Sequence, residues 1–260
     1  MKHPFPHLVF GYGSLICPDS RAITAPTVAE RHTIPVNAQN VERTWAKKSV
    51  RGMTSMGVRF REGVECVGVL VPVNEEELSQ FDEREIGYDR VELKADDIFQ
   101  IPFLADHYYE DTFLAEDKLE IPRIWVYVQK DPIPATESHP IVQSYLDIIL
   151  RGCLSISEEF ADEFMKTTKG WDPAELSDDD VSSSNEQEDA NSENGYLSDD
   201  DLDDVVWIDD RKDPIYVRAD VNYSLKKANE LDRVLRKHRP EELGKRKRKG
   251  KSQVRLLDLN

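Results

Sequence analysis

The heptad Phe10-Gly11-Tyr12-Gly13-Ser14-Leu15-Ile16 follows directly on the apolar run Leu8-Val9-Phe10, and no other feature constrains the chain as strongly. Two glycines around one tyrosine let a strand end in a sharp turn and let its backbone approach a ligand where a Cβ would block it. Consecutive N–H groups in such a loop can converge on an anion or a carbonyl oxygen, and Ser14 adds a hydroxyl at the same point. The plain structural alternative is a tight turn with Tyr12 packed on the core.

Around this loop, β-type runs dominate the first half, at residues 8–12, 57–60, 65–73, 88–93 and 124–128, each rich in Val, Ile and aromatics. Asn74-Glu75-Glu76-Glu77-Leu78-Ser79-Gln80-Phe81 then shifts to helical character, with Asn74 as N-cap and acids in the first turn. Leu78 and Phe81 face the core, and Glu85 falls just beyond the helix, at the lip of the next strand. The second half is more helical. Val142, Tyr145, Ile148 and Ile149 have helical spacing, with Gly152 near the expected stop; Phe160 and Phe164 share a face; Leu225, Ala228, Leu231 and Leu235 mark an amphipathic helix that Pro240 must end.

The formal net charge of −17 does not describe the whole chain. Between residues 170 and 210 there is no Lys or Arg but there are sixteen Asp and Glu, so the remainder is close to neutral. The acidic stretch contains Leu-Ser-Asp-Asp-Asp twice, and residues 174–204 are expected to be a disordered insertion, because like charge with little apolar surface cannot offset the entropy of ordering. Ser177 and Ser198, each followed by three aspartates, have the form of sites for an acid-directed kinase. The basic run Lys245-Arg246-Lys247-Arg248-Lys249-Gly250-Lys251 has two readings, a nuclear-import or nucleic-acid patch and a solvated tail; the lack of interleaved aromatics argues against nucleic acid. The expected organisation is a domain over 1–173, the insertion over 174–204, a returning segment with a C-terminal helix packed on the domain over 205–239, and a disordered basic tail over 240–260.

Cys17, Cys66 and Cys153 are widely spaced, which argues against a disulfide framework and for a reducing compartment. Cys153 has no histidine near it in sequence and reads as a buried structural thiol rather than a nucleophile. No apolar stretch approaches the length of a membrane helix, and residues 1–8 lack the apolar region of a signal peptide. The expectation is a cytoplasmic protein without a membrane partner, with nuclear entry through the basic tail as the variant.

A second segment, Phe81-Asp82-Glu83-Arg84-Glu85-Ile86-Gly87-Tyr88-Asp89-Arg90, gives the loop a context. Together the two resemble the γ-glutamylcyclotransferase-like family, which has a strand followed by a Tyr-Gly-Ser-Leu or Tyr-Gly-Ser-Asn loop. The family carries its acid in a pattern that Phe81, Asp82, Glu85, Gly87 and Tyr88 fill here, and Gln143 to Gly152 is a partial match to its tyrosine-bearing helix. The resemblance covers about residues 8–168.

The resemblance implies an α+β fold, a small twisted mixed β-barrel flanked by helices, and an enzyme that needs no metal or cofactor. It implies cyclisation of a γ-glutamyl group to 5-oxoproline with release of a free amine or amino acid, Glu85 acting as the catalytic acid–base. Substrate contacts would come from Tyr12, Gly13, Ser14, Leu15, Tyr88 and Tyr145. An ordinary carboxylate, with a pKa of about 4.3, is a poor base, so Glu85 is expected to be partly buried. Ile86 and Tyr88 would supply apolar cover; Asp82, Glu83 and Asp89 would raise its pKa if close, and Arg84 and Arg90 would lower it. Two other readings stay open: a catalytically silent γ-glutamyl or peptide-binding module, and an interaction protein working through its charged tracts. Glutathione, γ-glutamyl amino acids and γ-glutamyl-lysine are not distinguished at this level.

Overall fold

The first strand, β1 (His7–Gly11), is buried along its whole length, as an apolar run at the centre of a covered sheet must be. A computed structural model describes residues 5–29, 31–105, 122–129, 133–172, 175 and 205–249. The acidic stretch over 176–204, with Ser177 and Ser198, and the residues from 250 onward lie outside the described residues.

From the loop after β1, the short helix α1 (Pro18–Ala22) leads into two long strands, β2 (Ile34–Ser49) and β3 (Met53–Val73), paired antiparallel. The runs expected separately at 57–60 and 65–73 belong to the one strand β3. Residues 61–64 bulge opposite Asn40 rather than ending it, and Gly63 (φ 77°) donates its N–H to Asn40 Oδ1 at 3.1 Å. The far half of β3 pairs antiparallel with β1, His7 opposite Val73.

Next come α2 (Glu75–Arg84), β4 (Asp89–Leu93), β5 (Ile98–Gln100) and β6 (Arg123–Val128), β6 lying parallel to β1 and antiparallel to β4. Then β7 (Ile141–Val142) runs straight into α3 (Gln143–Ile156), followed by α4 (Glu158–Lys166) and β8 (Thr168–Lys169). After the acidic stretch the chain returns as β9 (Trp207–Asp209), α5 (Val221–His238), α6 (Pro240–Lys245) and β10 (Lys247–Arg248). All ten strands of the described residues join one mixed sheet, ordered β10-β9-β7-β3-β1-β6-β4, with β2 alongside β3 and also bonded to β5 and β8. The class is α+β, a twisted mixed sheet flanked by helices.

Two boundaries differ from expectation. Gly152 does not stop α3, which runs on to Ile156; it lies buried in the helix where the chain passes Cys17. Pro240 does end α5, but residues 240–249 are not a loose tail: Pro240 opens α6, where its missing N–H costs nothing, and β10 pairs parallel with β9.

The returning segment is pinned by buried charge. The Asp210 carboxylate accepts the N–H and the hydroxyl of Ser144 at 2.8 and 2.6 Å, at the start of α3, and the Ile215 N–H at 2.7 Å. Arg211 forks onto Asp147 of α3 at 2.7 and 2.9 Å and reaches Asp232 of α5 at 2.7 Å; Arg246 bonds to the same Asp232. Buried ions this well paired set the position of a segment, since removing any one leaves an uncompensated charge. The consequence is that residues 216–218 line a cleft together with Ser14, just past the end of β1, with Tyr216 packed on Tyr145 of α3.

Candidate functional site

Past β1 the chain turns at residues 12–13 into a single 3₁₀ turn, Ser14–Ile16, in which Ile16 N–H donates to Gly13 O at 2.9 Å and Cys17 N–H to Ser14 O at 3.2 Å. The N–H groups of Ser14 and Leu15, at the start of the turn, have no acceptor within it. Gly13 lies close under α3: a Cβ there would stand 3.1 Å from the Tyr145 hydroxyl.

Helix α2 delivers the second part. Its start carries a capping box in which Asn74 Oδ1 accepts the Glu77 N–H and Glu77 Oε2 accepts the Asn74 N–H, both at 2.9 Å. Its apolar face, Leu78 and Phe81, is buried, and Glu85 is its C-cap residue, donating its N–H to Phe81 O at 2.9 Å. Gly87 then takes φ 88°, a left-handed conformation that a side chain would strain, and turns the chain so that Tyr88 folds back over the loop. The Tyr88 hydroxyl donates to Met56 O at 2.9 Å.

Tyr12, Gly13, Ser14, Leu15, Glu85, Tyr88 and Tyr145, the residues singled out from three separated segments, line one narrow cleft with about 310 Å³ of free space, completed by Met56 and Tyr127. Tyr145 is also a core residue, stacked edge-on against Trp45 at 5.9 Å and Tyr216 at 4.8 Å. Tyr12 reaches across and donates to the Tyr127 carbonyl at 2.6 Å.

Arg84 ties loop and acid together. Its Nε pairs with Glu85 Oε1 at 3.0 Å, one terminal nitrogen donates to Ser14 Oγ at 3.0 Å, and the same guanidinium reaches Ser20 O at 2.9 Å and Thr24 Oγ1 at 2.7 Å. A planar fork with fixed donor directions can make this connection, whereas a lysine could not.

The Glu85 side chain is 17% exposed, and burial pushes its carboxyl above the ordinary range while Arg84, Arg218 and Lys47 pull it back down. Expected contributors differ in part. Ile86 is 82% exposed and gives no cover, Glu83 points to solvent, and Asp82 is taken by Arg90 at 2.6 Å and by the Tyr127 hydroxyl at 2.9 Å. The tyrosine hydroxyls of the cleft, Tyr12, Tyr88, Tyr127 and Tyr145, are all pushed up by burial and stay protonated at neutral pH. That leaves Glu85 as the one carboxylate lining the cleft among the described residues. Cys153 is buried and its thiol is raised, so it is held away from thiolate chemistry. Among the described residues, no group of three or more His, Cys, Asp or Glu could hold a metal, and no helix is long and apolar enough to cross a membrane.

Sequence reasoning missed Met56 and Tyr127, which sit in ordinary strand runs, and Lys47 and Arg218, which carry no local motif. Arg84 was visible only as a charge. Its connecting role depends on Ser14, Ser20 and Thr24, sixty to seventy residues away.

No family model matches the chain, and no curated protein is similar to it in sequence. Several solved structures are similar in fold at low identity. An uncharacterized human protein is 20% identical, with a TM-score of 0.40 over 59% of this chain and 85% of that one. A structure described as a gamma-glutamyl cyclotransferase is 17% identical, with a TM-score of 0.41 over the same shares. A yeast cyclotransferase described as specific to glutathione is 14% identical, with a TM-score of 0.32 over 62% of this chain and 87% of that one.

Proposed function

We propose that this protein is a γ-glutamyl cyclotransferase, converting the γ-glutamyl group of a small-molecule substrate to 5-oxoproline and releasing the amine it was joined to. The observation that carries the reading is the meeting of the 12–15 loop with a buried carboxylate, Glu85, through the Arg84 bridge.

The chemistry asks for three things, and the cleft has a group for each. Glu85 takes a proton from the substrate's α-ammonium, and the freed nitrogen attacks the γ-carbonyl carbon. Electron density moves onto the carbonyl oxygen, where the Ser14 and Leu15 N–H groups can hold it. As the C–N bond to the leaving group breaks, protonated Glu85 returns the proton to the departing nitrogen. The ring nitrogen, cationic since the attack, gives up its second proton to the released amine, which leaves as an ammonium, so 5-oxoproline forms as a neutral lactam and the enzyme ends as it began. Raising the Glu85 pKa serves both halves, making it a better base and a competent acid near neutral pH. The close walls around Gly13 favour the folded substrate conformer in which amine and carbonyl meet, a contribution of orientation.

The test is 5-oxoproline release from γ-glutamyl compounds by the wild type, Glu85→Gln and Glu83→Gln. Gln keeps the size and an acceptor oxygen but cannot take the proton, so Glu85→Gln is expected to lose about 10²- to 10⁴-fold in turnover. Glu83→Gln, on the solvent side of the same turn, should turn over like the wild type. A folded wild type that binds these compounds without releasing 5-oxoproline would instead be a binding module. Full activity in both variants would end the mechanism.

A further inference from the structure

The inner cleft opens through Ser14, Glu85, Tyr88 and Tyr145 into a second, wider cleft with about 1350 Å³ of free space. We propose that this outer cleft selects substrates whose leaving half carries a carboxylate, γ-glutamyl amino acids or peptides rather than γ-glutamylamines, and that Arg218 is the residue that reads it. The proposal rests on the cyclotransferase reading, because that reading places the γ-glutamyl group inside and sends the leaving half outward.

The charge of the outer cleft is one-sided. Among the described residues, Lys47, Lys48, Arg51, Arg84 and Arg218 line it, against a single acid, Glu85. Two of these cations are already engaged: Arg84 with Ser14, Ser20, Thr24 and Glu85, and Lys47 with the Gly87 carbonyl at 2.6 Å and over the Tyr88 ring at 4.4 Å. Arg218 differs. Its Nε is buried and has no hydrogen-bond partner among the described residues, yet its charge is felt at Glu85. A buried guanidinium N–H without an acceptor is costly, and a carboxylate is the group its planar fork fits best. A leaving-half carboxylate, a few bonds beyond the scissile nitrogen, would supply that acceptor beside Glu85. An ammonium in the same cleft would face five cations against one acid among the described residues.

The apolar side chains at the rim agree with a small amino acid or peptide. Val217 is 54% exposed, Ile86 82% and Val50 fully exposed, and all three face the outer cleft. Val217 and Arg218 come from the segment that returns after the acidic stretch, held in place by Asp210 and Arg211. The returning segment thereby contributes a wall of the site.

The test compares γ-glutamyl-alanine with γ-glutamyl-alaninamide, which differ only in the leaving-half carboxylate; the γ-glutamyl half, with its own carboxylate, is common to both and cancels. Wild-type kcat/KM is expected to favour the carboxylate about 10- to 100-fold at low salt, the range for one charge-assisted contact. Arg218→Gln should bring the ratio close to one, and Arg218→Lys should keep part of it. The ratio also removes any effect of Arg218 on Glu85, which acts on both substrates alike. A wild-type ratio near one, or a ratio unchanged by Arg218→Gln, overturns the proposal. If neither compound yields 5-oxoproline, the cyclotransferase reading fails by itself. Calorimetric binding of the same pair then decides the recognition: a preference lost in Arg218→Gln supports it, and equal affinities refute it.

Discussion

Gly152→Ala tests the packing that holds the site together, and two opposing effects of known size compete in it. In an exposed helix interior, replacing glycine with alanine gains about 1 kcal/mol. At position 152 the new Cβ would lie 2.6 Å from the Cys17 nitrogen and 2.8 Å from both Cys17 Cα and the Ile16 carbonyl carbon. Comfortable carbon contacts begin near 3.5 Å, so helix and loop must part by roughly 0.9 Å. All three neighbours are backbone atoms, and no rotamer change can relieve the clash. Overpacking of this kind costs typically about 1–3 kcal/mol, and against backbone atoms the upper part of that range, about 2–3 kcal/mol, applies; after the gain of about 1 kcal/mol the net loss is about 1–2 kcal/mol. For a domain of this size that is a fall in melting temperature of about 2–8 °C. Because α3 carries Tyr145 and residues 16–17 end the loop, the same displacement should open the cleft and, for the proposed reaction, lower 5-oxoproline release. Gly244→Ala is the internal control: it lies in α6 with nothing within 4 Å of its would-be Cβ, and should hold or raise stability. Thermal and urea denaturation of both variants settles the matter. A Gly152→Ala protein as stable as the wild type, or a Gly244→Ala protein that suffers equally, would refute the reasoning.

Two further predictions follow from the electrostatics of Glu85. Its folded-state pKa is raised, chiefly by burial, so the folded protein holds that proton more tightly than the unfolded chain. Stability should therefore decline as pH rises from the ordinary carboxylate range through the folded pKa, and level off above it. Glu85→Gln cannot titrate, so its stability relative to wild type should rise over the same window; a difference that is flat or falls with pH would contradict the burial argument. Arg84→Gln removes a cation that pulls the Glu85 pKa down and unties Ser14 from the acid. The acid limb of its kcat/KM–pH profile should move to higher pH and its maximal rate should fall, whereas an unmoved limb would mean that Arg84 does not act on Glu85.

What the sequence determined about this protein was local. The end of β1 at the glycine loop, the Asn74 cap with acids behind it, the buried Leu78 and Phe81, and the position of Glu85 at the helix end were all legible, because turns, caps and helical faces depend on residues within a few positions of one another. Meeting of the 12–15 loop with Glu85 could be expected only through likeness to a family. The rest was decided in three dimensions. Gly152 reads as a stop signal until the Cys17 backbone is found against it, and Ile86 reads as cover until the Gly87 turn leaves it exposed. The run from Pro240 reads as a tail until β10 pairs with β9. Arg84 and Arg218 look like any surface arginine in the sequence. The role argued for Arg84 comes from partners sixty or more residues away, that for Arg218 from a buried Nε left without one among the described residues, and both from the low-dielectric cleft that only the packed sheet and α3 create around Glu85. Burial and charge proximity are properties of the assembled chain, so no local pattern of residues could have carried them.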